Sequence, residues 1–358
     1  MSSESVRQRL KALTMHVIDT EDGAVVKRGC TELKIGGAGA AETVRKVLAV
    51  TTTNGGATSA EICGLFVPSA APLVKQLIEQ LLARHLLAPV EEADPAAEEP
   101  EDPLDIFYWH FGDKAAQVAE RLNRQSPAIL GVNCISRQLA ASLAASGVEN
   151  VRVWDHPRLR NLRFFNKTGT LKDGQWPASL PSPLEWRTAM DPDSLGCLIA
   201  SSDFGGWETL HEWNRFCVQY HKPFLPVVLQ DLVGYVGPLV MPGETACLEC
   251  VRMRRRSHLE DDALRRTIEE SAFEGQGAIG FHPSMASILG DIAVLELTKF
   301  YSEVLPRPKV GTLIEVNLLE TGLTSRRVLK APRCPVCSPL LARSSVSPDK
   351  AAVASSPG

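Results

Sequence analysis

Apolar positions change period along this chain, and the changes mark its parts. Over residues 14–36 they fall in short β-prone runs: TMHVID and AVVKRG flank the turn signal TEDG, and TELKIG follows, so three strands are expected. The period then lengthens. GAAETVRKVLAV sets Val44, Val47 and Leu48 on one helical face, and TSAEICGLF opens with a Thr or Ser cap. SAAPLVKQLIEQLLARHLL carries Leu73, Leu77 and Leu81 beside Val74, Ile78 and Leu82 at four-residue spacing. Three strands ahead of three helices predict a small α+β, winged-helix-like unit over residues 1–90.

The pattern breaks at EEADPAAEEPEDPLD, residues 91–105, where acids and prolines crowd together with no basic residue, the composition of an extended, self-repelling linker. Patterning resumes in the stretch AILGVNCISRQLAASLAASGVENVRVWDH. AILG is a short apolar strand, ISRQLAASLAAS a helix with Leu139 and Leu143 on one face, and VRVWD a second strand ending in Asp155. Strand, helix, strand and acid in that order predict a Rossmann-type α/β domain, placed at residues 106–340, with residues 341–358 as a disordered tail. No internal repeat is apparent.

A chain of 358 residues with 44% hydrophobic content can bury two cores. Its 38 basic and 42 acidic residues give a net charge of −4, which offers no general attraction to nucleic acid or to an anionic membrane. The last helix of the small unit presents only Lys75, Arg84 and His85 as cations, too few to neutralise a DNA backbone. No apolar run reaches the ~18 residues of a membrane span, and the opening MSSESVRQRL lacks a secretory core, so a cytoplasmic location is expected.

Nine cysteines include two CxxC pairs, Cys247 with Cys250 and Cys334 with Cys337. In a reducing compartment, each pair can offer two thiolates from a tight turn, and together they complete a tetrahedral four-sulfur zinc site. The metal would pin the C-terminal segment onto the domain, and with four protein ligands it has no open position for catalysis. A redox CxxC and four separate buried thiols are the alternatives. Arg252, Arg254, Arg255 and Arg256, followed by Glu260, Asp261 and Asp262, suggest a solvated helix of mixed charge. His282 and Pro283 open a helix whose stripe, Met285, Ile288, Leu289, Ile292 and Leu295, is expected to be core or a subunit contact.

The small unit resembles the PqqD-like peptide-recognition domain of enzymes that modify ribosomally made peptides. That resemblance implies a leader peptide adding as a strand beside the third strand and lying on the third helix. It points to Thr31, Leu33 and Ile35 on the strand and to Leu73, Gln76, Leu77 and Gln80 on the helix.

The large domain, from the strand AILG through HPRLRNLRFF, LGCLIASSDF and PFLPVVLQDLVGYVGPLVMPGETACLEC, resembles the ubiquitin-activating-enzyme-like family typified by ThiF and MoeB, which adenylates peptide or protein C termini. The family has a four-cysteine zinc site in this relative position and implies a homodimer. Its GxGxxG turn appears here as Gly131, Val132, Asn133, Cys134, Ile135, Ser136, with only the first glycine kept. Its phosphate-facing arginine in the Asn-Leu-x-Arg-Gln segment, which begins at Asn161, is replaced by Phe164. Asp155 matches the ribose-binding acid and Asp203 the metal-binding acid. Asn133 is expected to accept an unusual backbone angle and Ser136 to be small enough for the turn to form, while the added side chains crowd a triphosphate. Arg163 is a candidate substitute for the lost arginine. Gly131, Asn133, Ser136, Asp155, Asn161 and Asp203 are thus read as a degenerate nucleotide site, without catalytic residues and without ATP.

The combination resembles the partner proteins of YcaO cyclodehydratases in thiazole- and oxazole-peptide pathways. It implies a chain that holds the precursor's leader while a separate ATP-using partner closes azoline rings. The alternative is a ThiF-like adenylyltransferase that activates a peptide C terminus.

Overall fold

The structure, a computed structural model, describes residues 8–53, 55–90, 102–256, 267, 280–306, 310–320 and 322–338. Most of the acidic linker, the acids after Arg256 and the tail lie outside the described residues. The chain forms two compact units, Met1–Gln117 and Val118–Gly358. Among the described residues no helix is long and apolar enough to cross a membrane.

The first unit holds β1 (Arg9–Ala12), β2 (His16–Thr20), β3 (Gly23–Arg28), β4 (Thr31–Gly36), α1 (Ala40–Thr51), β5 (Ala57–Thr58), α2 (Ser59–Cys63), α3 (Ala71–Ala83), β6 (Leu87–Pro89) and α4 (Pro103–His110). The three expected strands form an antiparallel sheet, β2-β3-β4, in which Val26 faces Leu33 and Arg28 faces Thr31. Gly29 turns β3 into β4 with φ +56°, and a Cβ there would lie 2.8 Å from Ile106. Thr58 caps α2 in a reciprocal box with Glu61. The core gathers Val26, Leu33, Val44, Val47, Ile62, Val74, Leu77, Ile78 and Leu81.

Two features depart from the sequence reading. A second sheet, β5-β1-β6, is built around RLKA, which carries too little apolar pattern to announce a strand but is paired on both sides. The segment expected as linker through residue 105 becomes helical at Pro103. Asp102 accepts a hydrogen bond from Leu104 N at 2.7 Å, and proline suits the first helical position. α4 then docks within the first unit: Trp109 donates its indole N–H to His85 O (2.9 Å), and His110 Nδ1 lies 2.6 Å from Thr31 Oγ1. The first unit therefore extends to Gln117 rather than ending at residue 90.

The second unit contains most of α5 (Ala115–Arg124, with Val118 and Leu122 buried), then β7 (Pro127–Leu130), α6 (Cys134–Ala145), β8 (Arg152–Asp155), β9 (Leu184–Glu185), α7 (Trp186–Ala189), β10 (Cys197–Ser202), α8 (Trp207–Gln219), β11 (Phe224–Gln230), β12 (Val233–Val236), α9 (Leu248–Arg256), α10 (Pro283–Tyr301), β13 (Thr312–Asn317) and β14 (Gly322–Arg327). Its eight-stranded sheet runs β14-β13-β12-β11-β10-β7-β8-β9, parallel from β11 to β9 and antiparallel from β11 to β14. The expected Rossmann-type α/β architecture is present. β7 and β10 are neighbours whose connections leave in opposite directions, toward β8 and toward β11, so a crevice opens at their C-terminal ends. His282 caps α10 by accepting from Ser284 N (3.3 Å). In its stripe Met285 and Leu289 are buried, whereas Ile288 and Leu295 are exposed.

Candidate functional site

The crevice between β7 and β10 is closed by side chains of the chain itself. Gly131 has φ +107°, and a Cβ would stand 2.7 Å from Ser201 O, which explains glycine at this position. Asn133 is extended (φ −152°, ψ −178°), so the turn makes no use of asparagine's tolerance of unusual backbone angles. Asparagine sits at this position for its side chain. Its Oδ1 accepts from Ser136 N (2.9 Å), its Nδ2 donates to Ser201 O (2.8 Å) and Leu159 O (3.2 Å), and its own N–H donates to Ser136 Oγ (2.8 Å). The fully buried Asn133 is thus both the cap of α6 and a bolt between three loops.

The next amide, Cys134 N, donates to Asp203 Oδ2 (2.8 Å), which also accepts from Asn161 Nδ2 (2.9 Å). A helix N terminus attracts negative charge, and here a carboxylate of the chain takes the place that a bound phosphate would occupy. Asp203 is buried, and burial raises its carboxyl above the usual range despite these donors. Its Oδ1 has no hydrogen-bond partner among the described residues.

Asp155 is occupied as well. Arg160 donates to both its oxygens, Nε at 2.8 Å and Nη2 at 2.6 Å, and stacks 4.6 Å from the Phe165 ring centre. Phe164 is fully buried, with the Arg137 and Arg163 guanidiniums 5.4 and 5.5 Å from its ring centre. Arg163 reaches Cys134 Sγ (3.9 Å), so two cations do stand at the mouth of the turn. Burial, with Asp203 beside it, pushes the Cys134 thiol up to about 12, far from a reactive thiolate. The structure therefore brings together Gly131, Asn133, Ser136, Asn161 and Asp203 in one network. Sequence reasoning missed Arg160, whose only signal was an arginine five residues after the acid.

Cys247 at the entrance of α9, Cys250 within it, and Cys334 and Cys337 beyond β14 converge, with all four sulfurs within 4.8 Å of one another. The Sγ separations of 4.0, 3.6 and 3.4 Å bracket the roughly 3.7 Å edge of a tetrahedron with zinc–sulfur bonds of about 2.3 Å. Ala331 N donates to Cys250 Sγ (3.3 Å). The turn is held by Leu248 N donating to Asn214 Oδ1 (3.0 Å) and by Glu249, which accepts from Arg252 (2.8 Å), itself paired with Glu208 (3.1 Å). Burial keeps His211, beside Glu249, neutral by lowering it to about 3. The donor set suits a structural zinc ion. Arg252 and Arg255 are packed rather than solvated, Arg255 lying 4.4 Å from the Tyr235 ring centre.

In the first unit, Thr31, Leu33 and Leu77 are buried, and Thr31 already bonds His110. Ile35 is partly exposed, and Leu73, Gln76 and Gln80 are exposed along one stripe of α3. Among the described residues the outer edge of β4 pairs with no strand.

No family model matches the chain. The crystal structure of E. coli MccB with succinimide superposes with a TM-score of 0.65 at 15% identity, over 92% of this chain and 99% of that one. This chain has the MccB fold. E. coli MccB with ATP gives 0.64 at 14% identity, covering 92% and 100%. The heterocyclase TruD gives 0.59 at 17% identity over 92% of this chain but only 43% of its own length. In sequence, Protein HesA of Leptolyngbya boryana is 22% identical over 216 residues, 59% of this chain and 70% of that protein.

Proposed function

We propose that this chain captures the leader of a ribosomally made peptide and presents it to a separate, ATP-using YcaO-type cyclodehydratase, without itself activating ATP. The observation that carries this reading is the occupied helix N terminus. Cys134 N is bonded to Asp203, both oxygens of Asp155 are bonded to Arg160, and no glycine remains at Asn133 or Ser136 to admit phosphate. Adenylation needs charged donors free to meet the displaced pyrophosphate. The likeness to MccB, solved with the peptide MccA, and to the heterocyclase TruD supports a role in peptide maturation.

In this reading residues 1–117 form the peptide-recognition unit. The leader pairs with the open edge of β4, and Leu73, Gln76 and Gln80 on α3 meet its side chains; Thr31, Leu33 and Leu77 shape the surface from beneath. Holding the leader raises the local concentration of the core peptide at the partner's active site. Zinc at the four cysteines is structural, and the large unit forms the homodimer contact.

The test is fluorescence anisotropy with a labelled leader peptide encoded beside this chain. The full chain should bind it and residues 118–358 should not; equal binding by the truncated chain would remove the assignment. The pair Arg137 and Arg163 favours the alternative, a peptide adenylyltransferase, and ATP–magnesium calorimetry separates the two. Tight binding with pyrophosphate release on adding peptide would establish the alternative.

A further inference from the structure

The second unit carries a cavity that neither the sealed turn nor the cysteine site uses. It measures roughly 540 Å³ and is lined by His156 and Arg158 after β8, Trp186, Arg187 and Met190 of the α7 segment, and Glu212, Trp213 and Phe216 of α8, among others. That size lies within the ~300–1,000 Å³ of small-molecule sites. Its walls are rings. Trp186 stacks on His156 (5.2 Å between centres, 29° between planes), Trp213 stands edge-on to Trp186 at 5.3 Å, and Phe216 follows at 5.3 Å.

Aromatic walls suit either a cation or another ring, and the rim decides between them. The lining holds two guanidiniums, Arg158 and Arg187, against one carboxylate, Glu212. Arg158 is paired with Glu212, while Arg187 is largely exposed, with Glu185 at 3.5 Å and its guanidinium 4.8 Å from the Trp186 ring centre. Burial, helped by Arg158, Arg187 and Arg160, pushes His156 down to about 4, so the ring adds no charge, and Arg187, whose contact with Glu185 is long and exposed to solvent, is the cation left to meet a guest. A cationic guest is disfavoured and an anionic one favoured. His156 Nδ1 and Trp186 Nε1 are buried polar atoms with no partner among the described residues, an uncommon condition for a lining that serves packing alone.

We propose that this cavity binds an aromatic acid: a planar ring carrying a carboxylate a few bonds away, presented either as a free molecule or as an aromatic residue at a peptide's C terminus. The ring packs against Trp213 and Phe216 beside Trp186, and the carboxylate meets Arg187, which lies on the Trp186 ring. The inference goes beyond the leader-carrier role and does not depend on it.

Calorimetry on the full, metal-loaded chain tests it with N-acetyl-L-tryptophan, its uncharged amide, and the peptide Ala-Ala-Gly-Trp with a free C terminus. The acid should bind, and the amide should bind about tenfold more weakly, the effect of one lost charge-assisted bond. Arg187→Ala should remove that preference without changing the melting temperature, and Glu212→Gln, which frees Arg158, should tighten the acid. Tighter binding of the peptide than of the free acid would identify a peptide terminus as the source, and the reverse a small molecule. Equal binding of acid and amide, no heat with the acid or the peptide at millimolar concentration, or an unchanged preference in Arg187→Ala would each overturn the proposal.

Discussion

Replacing Asn133 by glycine makes the turn read more like a phosphate-binding loop, and it should weaken the protein without restoring nucleotide binding. The side chain is fully buried and makes four hydrogen bonds: it accepts from Ser136 N (2.9 Å) and Ser201 Oγ (3.3 Å) and donates to Ser201 O (2.8 Å) and Leu159 O (3.2 Å). Glycine replaces asparagine as a helix cap at a cost of only a few tenths of a kcal/mol. The two carbonyl bonds are worth about 1 kcal/mol each, and leaving a carbonyl buried without a donor adds about 1 more. The sum is about 3 kcal/mol, or roughly 6–12 °C in melting temperature for a unit of this size. Urea unfolding followed by tryptophan fluorescence reads the loss, and calorimetry with ATP and magnesium on the same variant reads the site. A loss below about 1 kcal/mol would mean that Asn133 is a spacer and not a bolt. A variant that gained ATP binding would mean that the crevice is only nominally closed.

Other expectations follow from single contacts. Metal analysis should find zinc bound at the four cysteines; chelation, Cys334→Ser or Cys337→Ser should each lower the melting temperature of the large unit, and an unchanged melt in metal-free protein would reject the structural role. Leu77→Ala should cost the first unit about 2–5 kcal/mol, since Leu77 is 8% exposed and in the core, whereas Leu73→Ala, at 70% exposure, should leave stability unchanged and weaken only leader binding. Burial raises the Asp203 carboxyl, so the unfolded chain ionises at lower pH than the native one, and this residue's contribution falls as pH rises from the ordinary carboxylate range through the native pKa. Asp203→Asn should remove that slope, so its stability relative to wild type should improve from acidic to neutral pH. A pH-independent difference in urea midpoint would contradict the assignment.

Much of the architecture was legible because period reports burial. The strand–helix–strand run ending at Asp155 lies where its pattern places it, and so does most of the α3 stripe, with Val74, Leu77, Ile78 and Leu81 buried and Leu73 exposed. β1 was not legible: Arg9 and Lys11 alternate with Leu10 and Ala12 over only four residues, and its partners, β5 and β6, are far away in sequence. The Asp102-Pro103 start of α4 is a recognisable helix opening, but it is masked by the acidic residues around it. Of the strand residues named for peptide contact, Thr31 and Leu33 fell on the buried face. Thr31 and Leu33 share one side of β4 and Glu32 and Lys34 the other, and a reading one residue out exchanges them. The cysteine cluster was legible from spacing alone, because a tight CxxC turn fixes where both sulfurs can go.

The side chains at Asn133 and Ser136 and the acid at Asp203 answer one physical requirement. The first amides of α6 have no intrahelical acceptor and are buried, so something must accept their hydrogen bonds. Where a nucleotide visits, its phosphates do so; here Asn133, Ser136 and Asp203 do so permanently. An acid at the position of Asp203 is therefore required by the helix end even when no metal or phosphate is ever bound, and its presence carries no information about catalysis. What discriminates is the direction in which its oxygens are used. Oδ2 serves Cys134 N and Asn161, both inside the chain, and Asp155 turns both its oxygens to Arg160. A nucleotide meeting these groups would have to win Arg160 away from Asp155 and Asp203 away from Cys134, and the proposal that this chain does not activate ATP rests on the energy of those exchanges.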